Sequence, residues 1–244
     1  MYSNDRLIIL DADGTTLDAF DAIARTFARH GMAIGELERF QKRRNLFKYL
    51  GGLKEFPSNL KKQLGREKRS RLIATLTEVY REEGRLFPGI ADLMQILIDA
   101  PRVRVGLVTR NITNQPVETL QQVYRRHGVD LSGLDFLVHI PLSQTKSAAF
   151  RHARERFAVN PGRAAICGDE GKDFVAAVHC GMHPFMVSYG FEDYERLTQK
   201  AGVPSEILSR SPEELCQRIL HAFDLSQPEA AAAGQPQNPA TGLS

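Results

Sequence analysis

The stretch LIILDADGTTLD (residues 7–18) runs four apolar residues into two carboxylates one residue apart, Asp11 and Asp13, followed by Gly14 and, at its end, Asp18. Consecutive aliphatic side chains suit a strand buried on both faces, as in a parallel sheet. Like charges at that spacing repel, and burial raises the cost of ionising either one. Something brought in from elsewhere in the chain must offset that cost.

Comparable segments recur at 6–10 (RLIIL), 103–108 (VRVGLV), 136–140 (FLVHI), 164–167 (AAIC) and 185–188 (FMVS). Between them, Ile90, Leu93, Met94, Leu97 and Ile98 mark a helix by their 3.6-residue spacing, and Ala148, Ala149, His152, Ala153 and Phe157 mark a second. The alternation predicts an open α/β sheet. Residues 18–87 break the rhythm. Phe20, Ile23, Ala24, Phe27 and Ala28 form a helical stripe, and further helices are expected at 36–50 and at 66–83, the latter carrying Leu72, Ile73, Leu76, Val79 and Tyr80. Gly51, Gly52, Pro57 and the FPG of 87–89 punctuate what reads as a helical insertion. From 225 the chain turns to Ala, Gly, Pro, Gln and Ser, a composition that buries too little apolar area to order itself, so 225–244 is expected to be a disordered tail.

An apolar content of 42% in 244 residues is that of a globular protein. No apolar run approaches the roughly 20 residues of a membrane-spanning helix, and Asp5 and Asp11 stand where a signal peptide would be apolar, so a cytoplasmic protein with no membrane partner is expected. Cys167, Cys180 and Cys216 show no CxxC spacing, which argues against a disulfide framework or a zinc site. Residues 41–71 carry +9 of a net charge of +3, which leaves the remainder at −6. Either these cations solvate the outer faces of amphipathic helices, or they steer an anionic substrate, with Lys42, Arg43 or Lys48 in contact with it. Helical spacing explains most of them without a ligand. No nucleic-acid reader motif accompanies the charge, so no nucleic-acid partner is expected.

In open α/β sheets ligands bind beyond the carboxyl ends of the strands. There the sequence places Asp11, Asp13, Gly14 and Thr15; then Thr109, Arg110 and Asn111; then Lys146; then Gly168, Asp169, Glu170 and Asp173. If these converge, the carboxylates require a cation, and an oxygen-rich set suits Mg²⁺ before Zn²⁺. Gly14, Thr109 and Lys146 suit the oxygens of a phosphoryl group, with Arg110 pointing either at substrate or at solvent. Asp11 is then the natural nucleophile and metal ligand, Asp13 the acid/base, and Lys146 the group that neutralises charge on both nucleophile and phosphate. His139 and His183 flank apolar residues and are read as packed or hydrogen-bonded.

DADGTTLD (11–18), LVTRN (107–111), Lys146 and GDEGKD (168–173) together resemble the four motifs of the haloacid dehalogenase superfamily, over roughly residues 6–220. FVAAVHCGM (174–182) and VSYGF (187–191) are similar to its phosphoglycolate phosphatase-like branch. The resemblance implies a Mg²⁺-dependent phosphatase with a Rossmann-like parallel sheet, its first strand central, and an all-helical cap inserted after the first motif. It implies that Asp13 gives its backbone carbonyl to the metal, that Asp169 is a direct ligand, and that Glu170 or Asp173 binds directly or through water. The expected organisation is a core of 1–17 and 88–224 with a cap of 18–87. Thr16 stands where the family usually has leucine, read as a packing change, and Ser147 stands where many relatives have proline, which leaves Lys172 as a rival to Lys146.

The expected function is hydrolysis of a small phosphorylated metabolite through an aspartyl-phosphate. A phosphomutase of the same family would keep both opening aspartates, and a non-catalytic binding protein could keep the fold. A dehalogenase would need neither Asp13 as acid/base nor Mg²⁺. Specificity lives in cap loops, so substrate identity and oligomeric state stay open at the level of sequence.

Overall fold

The computed structural model describes residues 1–31 and 69–226. The expected helix at 36–50, the turn residues Gly51, Gly52 and Pro57, the cations Lys42, Arg43 and Lys48, and the tail from 227 lie outside the described residues.

The described chain forms β1 (Arg6–Leu10), α1 (Ala19–Arg29), α2 (Arg69–Glu83), α3 (Ile90–Asp99), β2 (Val103–Thr109), α4 (Pro116–Arg126), β3 (Phe136–His139), α5 (Ser147–Arg156), β4 (Ala164–Gly168), α6 (Gly171–His179), β5 (His183–Val187), β6 (Leu208–Ser209) and α7 (Pro212–Ala222). All strands are parallel, in the order β3-β2-β1-β4-β5-β6. The five expected strands are present, with ends displaced by up to two residues, and β6 is added. A two-residue strand carries no periodicity for a sequence reading to detect.

β1 lies between β2 and β4, with Ile8 opposite both Val105 and Ala165. After β3 the chain crosses to the other side of β1 to begin β4, so the strand order reverses there and a crevice opens at the carboxyl ends of β1 and β4. Leu7, Ile8 and Ile9 are fully buried, which is why this strand shows no apolar-polar alternation.

The helical excursion is tied at its base. Asp18 N–H bonds to Arg85 O (2.9 Å), Phe87 N–H bonds to Thr16 O (3.1 Å), and Leu17 pairs antiparallel with Leu86. Asp18 caps α1 by accepting from Asp21 N–H (3.0 Å). α1 buries Ala22, Ile23, Thr26 and Phe27, a face rotated from the expected stripe, with Ala28 exposed. Thr26 tolerates burial because its hydroxyl donates to Ala22 O (2.8 Å). α2 packs on α1 and also on α4, and Leu72, Leu76, Val79 and Tyr80 join the apolar cluster that contains Ile8 and Leu10. The excursion therefore shares its core with the sheet.

Packing continues to Leu225, whose N–H bonds to Leu220 O (2.9 Å). Among the described residues no helix is long and apolar enough to cross a membrane.

Candidate active site

Four strand ends supply the site. At the end of β1, Asp11 N–H bonds to Cys167 O of β4 (3.0 Å), which holds the start of the loop against the neighbouring strand. Asp11 Oδ1 accepts from Ala12 N–H (2.8 Å). Thr16 does more than pack: its hydroxyl donates to Asp11 O (2.8 Å) and shares a hydrogen bond with Tyr124 OH (2.5 Å). Leucine has no group that could make either contact.

Asp11, Asp169 and Asp173 come together, with one carboxylate oxygen from each within 4.8 Å of the others. Lys146, on the approach to α5, puts Nζ 2.5 Å from Asp11 Oδ2 and 3.0 Å from Asp173 Oδ1. Its rival Lys172 is exposed on α6. Asp169 is held by Phe191 N–H at Oδ2 (2.6 Å) and by the Thr15 hydroxyl at Oδ1 (3.5 Å).

Two glycines let this carboxylate fit. A Cβ on Gly14, where φ is +80°, would stand 2.3 Å from Asp169 Oδ2, and one on Gly190 would stand 2.4 Å from the same oxygen.

Charge in this group is strained by burial. Desolvation pushes Asp11 up to about 7 although Lys146 opposes it, and Asp169 is raised well above the carboxylate range by burial and then by the charges of Asp11, Glu170 and Asp173. Burial works against the Lys146 ammonium, yet Asp11 and Asp173 outweigh it and hold the amine protonated.

Asp173 Oδ2 is buried and has no hydrogen-bond partner among the described residues. An orphaned carboxylate oxygen beside two further carboxylates, with no His or Cys in the group, fits a hard divalent cation bound through oxygen.

The remaining expected residues take separate places. Glu170 pairs with the Arg110 guanidinium and is not one of the three clustered carboxylates. Arg110, buried, also lies 4.0 Å from Asp173 Oδ1 and faces the same small pocket as Asp11, Asp13 and Asp169. The buried Thr109 accepts from Asn111 N–H at Oγ1 (3.1 Å).

Asp13 lines that pocket, and its carboxylate accepts from Tyr80 OH at Oδ1 (2.9 Å) and from Asn111 Nδ2 at Oδ2 (3.0 Å). Burial raises its pKa and these donors lower it. Asn111 stands in the sequence among the strand-end residues, where nothing assigns it this contact. Tyr80 fell within an apolar helical stripe, where only its hydroxyl distinguished it. His139 makes a hydrogen bond to Asn111 O (2.9 Å), as a packed histidine would.

Residues 6–181 match the model of the haloacid dehalogenase-like hydrolase family. The chain is 23% identical over 208 residues to the phosphoglycolate phosphatase of Vibrio vulnificus strain YJ016, covering 79% of this chain and 88% of that protein. Among solved structures, a haloacid dehalogenase-like family hydrolase from Streptococcus pneumoniae superposes with a TM-score of 0.56 at 18% identity, over 90% of this chain and 98% of that one. CbbY from Rhodobacter sphaeroides, solved in complex with phosphate, gives 0.55 at 20% identity, over 78% and 89%.

Proposed function

Since the chain belongs to the haloacid dehalogenase-like hydrolase family, we propose that it is a Mg²⁺-dependent phosphomonoester hydrolase acting on a small phosphorylated metabolite. The observation that carries this reading is the gathering of Asp11, Asp169 and Asp173 within 4.8 Å, with Lys146 Nζ 2.5 Å from Asp11. Its likeness to a phosphoglycolate phosphatase supports a phosphate ester as substrate.

Asp11 is the nucleophile. One of its carboxylate oxygens attacks phosphorus as the ester P–O bond breaks, and the departing oxygen takes a proton from Asp13. Asp13, now a carboxylate, accepts a proton from water as that water attacks the aspartyl-phosphate, which releases phosphate and restores Asp11. Lys146 neutralises charge on Asp11 before attack, and with the Thr109 hydroxyl and Gly14 backbone it serves the phosphoryl oxygens. Arg110, which lines the pocket with Asp11 and Asp13, adds a second positive charge for the phosphoryl oxygens. Asp11, Asp169 and Asp173, with the Asp13 carbonyl, would hold the cation, and Glu170 would reach it only through water. When bound, that cation supplies positive charge to the phosphoryl group.

In this reading residues 1–17 and 88–224 form the catalytic core and 18–87 the cap, whose closure excludes water and selects the leaving group. The test is hydrolysis of an aryl phosphate by purified protein with Mg²⁺, abolished by chelator and by Asp11→Asn. Turnover surviving Asp11→Asn removes the nucleophile from this scheme.

A further inference from the structure

Asp13 has two side-chain donors, and each is fixed by contacts that have nothing to do with Asp13 itself. Asn111 Oδ1 accepts from Thr113 N–H (2.9 Å). A backbone N–H can only donate, so the atom facing it is the amide oxygen, and Nδ2 is left to point at Asp13, 3.1 Å from Oδ1 and 3.0 Å from Oδ2. The loop that carries Asn111 is tied further by His139 at Asn111 O and by the Thr109 hydroxyl at Asn111 N.

Tyr80 arrives from α2. Its ring is 1% exposed in the cluster with Phe27, Leu76 and Val79, so its hydroxyl is delivered to Asp13 by packing and not by a free rotor. α2 is itself anchored to the core: Thr77 Oγ1 accepts from Asn114 N–H (2.8 Å), and Arg81 Nε donates to Thr119 Oγ1 (3.1 Å). A buried carboxylate with two fixed donors has little freedom to rotate. It keeps its orientation toward the pocket it shares with Asp11.

Resting on the hydrolase reading above, we infer that Tyr80 and Asn111 are positioning residues that aim the Asp13 carboxyl at the departing oxygen, Tyr80 doing so from the helix by which the chain returns from its insertion. Neither touches the reacting atoms. Their effect passes through Asp13, so it should scale with how much the leaving group needs a proton.

Phenyl phosphate and p-nitrophenyl phosphate are similar in size but differ in that need, and kcat/KM reports the step in which the ester bond breaks. Tyr80→Phe keeps the ring and removes only the donor. It should lower kcat/KM roughly 10-fold for phenyl phosphate, part of the ~100-fold or more that general acid catalysis supplies, and less than about 2-fold for the nitrophenyl ester. Asn111→Ser should show the same asymmetry, and it carries the test alone should Tyr80→Phe not fold. Equal losses on the two esters, or none on either, overturn the inference and leave the hydrolase reading standing. If wild-type protein hydrolyses neither ester with Mg²⁺, the hydrolase reading fails and this inference falls with it.

Discussion

Lys146 Nζ lies 2.5 Å from Asp11 Oδ2, and both side chains are buried at the end of the central strand. The same ammonium reaches Asp173 at 3.0 Å, so one cation sits against two carboxylates in a medium of low polarity, with Arg110 more distant at 4.0 Å from Asp173. Lys146→Met keeps the stem and removes the charge. Breaking a buried pair by removing one partner costs about 3–5 kcal/mol, reduced to the extent that Asp11 takes up a proton instead. Urea denaturation in chelator should show that loss. Phosphate-ester turnover should fall by roughly 10²-fold or more, the scale of losing one preorganised charge at a reacting centre. Unchanged turnover would remove Lys146 from the machinery.

Divalent metal should stabilise the fold independently of any reaction. A ligand that binds only the folded state adds about 2.7 kcal/mol at 100 times its Kd, so Tm should keep rising with the logarithm of Mg²⁺ concentration once that exceeds Kd. Asp169→Asn removes a charge from the clustered carboxylates, and in that variant the Mg²⁺-induced rise should largely disappear. A rise of equal size in the variant would place the cation elsewhere.

The loop glycines around Asp169 should resist enlargement. Gly190→Ala would bring a methyl to 2.3 Å from Gly14 O and 2.4 Å from Asp169 Oδ2, distances that real Cβ atoms do not adopt, so both the Gly14 backbone and the carboxylate must shift. Gly14→Ala adds the strain of φ +80° to the same collision. Each should cost on the order of 1–3 kcal/mol and weaken the Mg²⁺-induced shift in Tm by more than its loss of stability alone predicts. A folded Gly190→Ala protein with an unchanged Mg²⁺-induced shift in Tm would show that Asp169 has room to spare.

What was legible in the sequence follows from where the constraint is local. Leu7 to Leu10 are apolar without alternation because the sheet covers both their faces, and Asp11, Asp169 and Asp173 were readable because each follows such a run or opens the helix after it. Tyr80 was not readable as a site residue. Its stripe shows only that one helical face is buried, and that its hydroxyl meets Asp13 depends on the angle at which α2 packs across α1 and α4. Thr16 reads as a packing change from sequence because it stands where relatives have leucine, a residue that only packs. Its bonds to Asp11 O and Tyr124 OH exist only once α4 is in place. The expected stripe of α1 was displaced for a similar reason, since Thr26 looks polar in one dimension and is satisfied by its own helix in three.

The pairing of α1 with α2 should be sensitive to acid. Glu83 is bonded by Arg29 and accepts from Arg25 Nη1 (2.9 Å), and those two guanidinium groups hold its carboxyl below the usual 4.5. A carboxylate with a depressed pKa contributes stability that is fully present above its unfolded value and is lost as pH falls through the folded one. Glu83 is 32% exposed, and Arg25 and Arg29 are 37% and 39% exposed, so solvent screens the pair. The contribution belongs to the range of about 0.2–1 kcal/mol measured for exposed ion pairs. Wild type should therefore exceed Glu83→Gln by that margin at neutral pH and low salt. The difference should shrink in concentrated salt and vanish well below pH 4.5. Denaturation curves of the two proteins across pH decide it: a gap that persists in acid would mean that Glu83 stabilises through packing of its stem and not through charge.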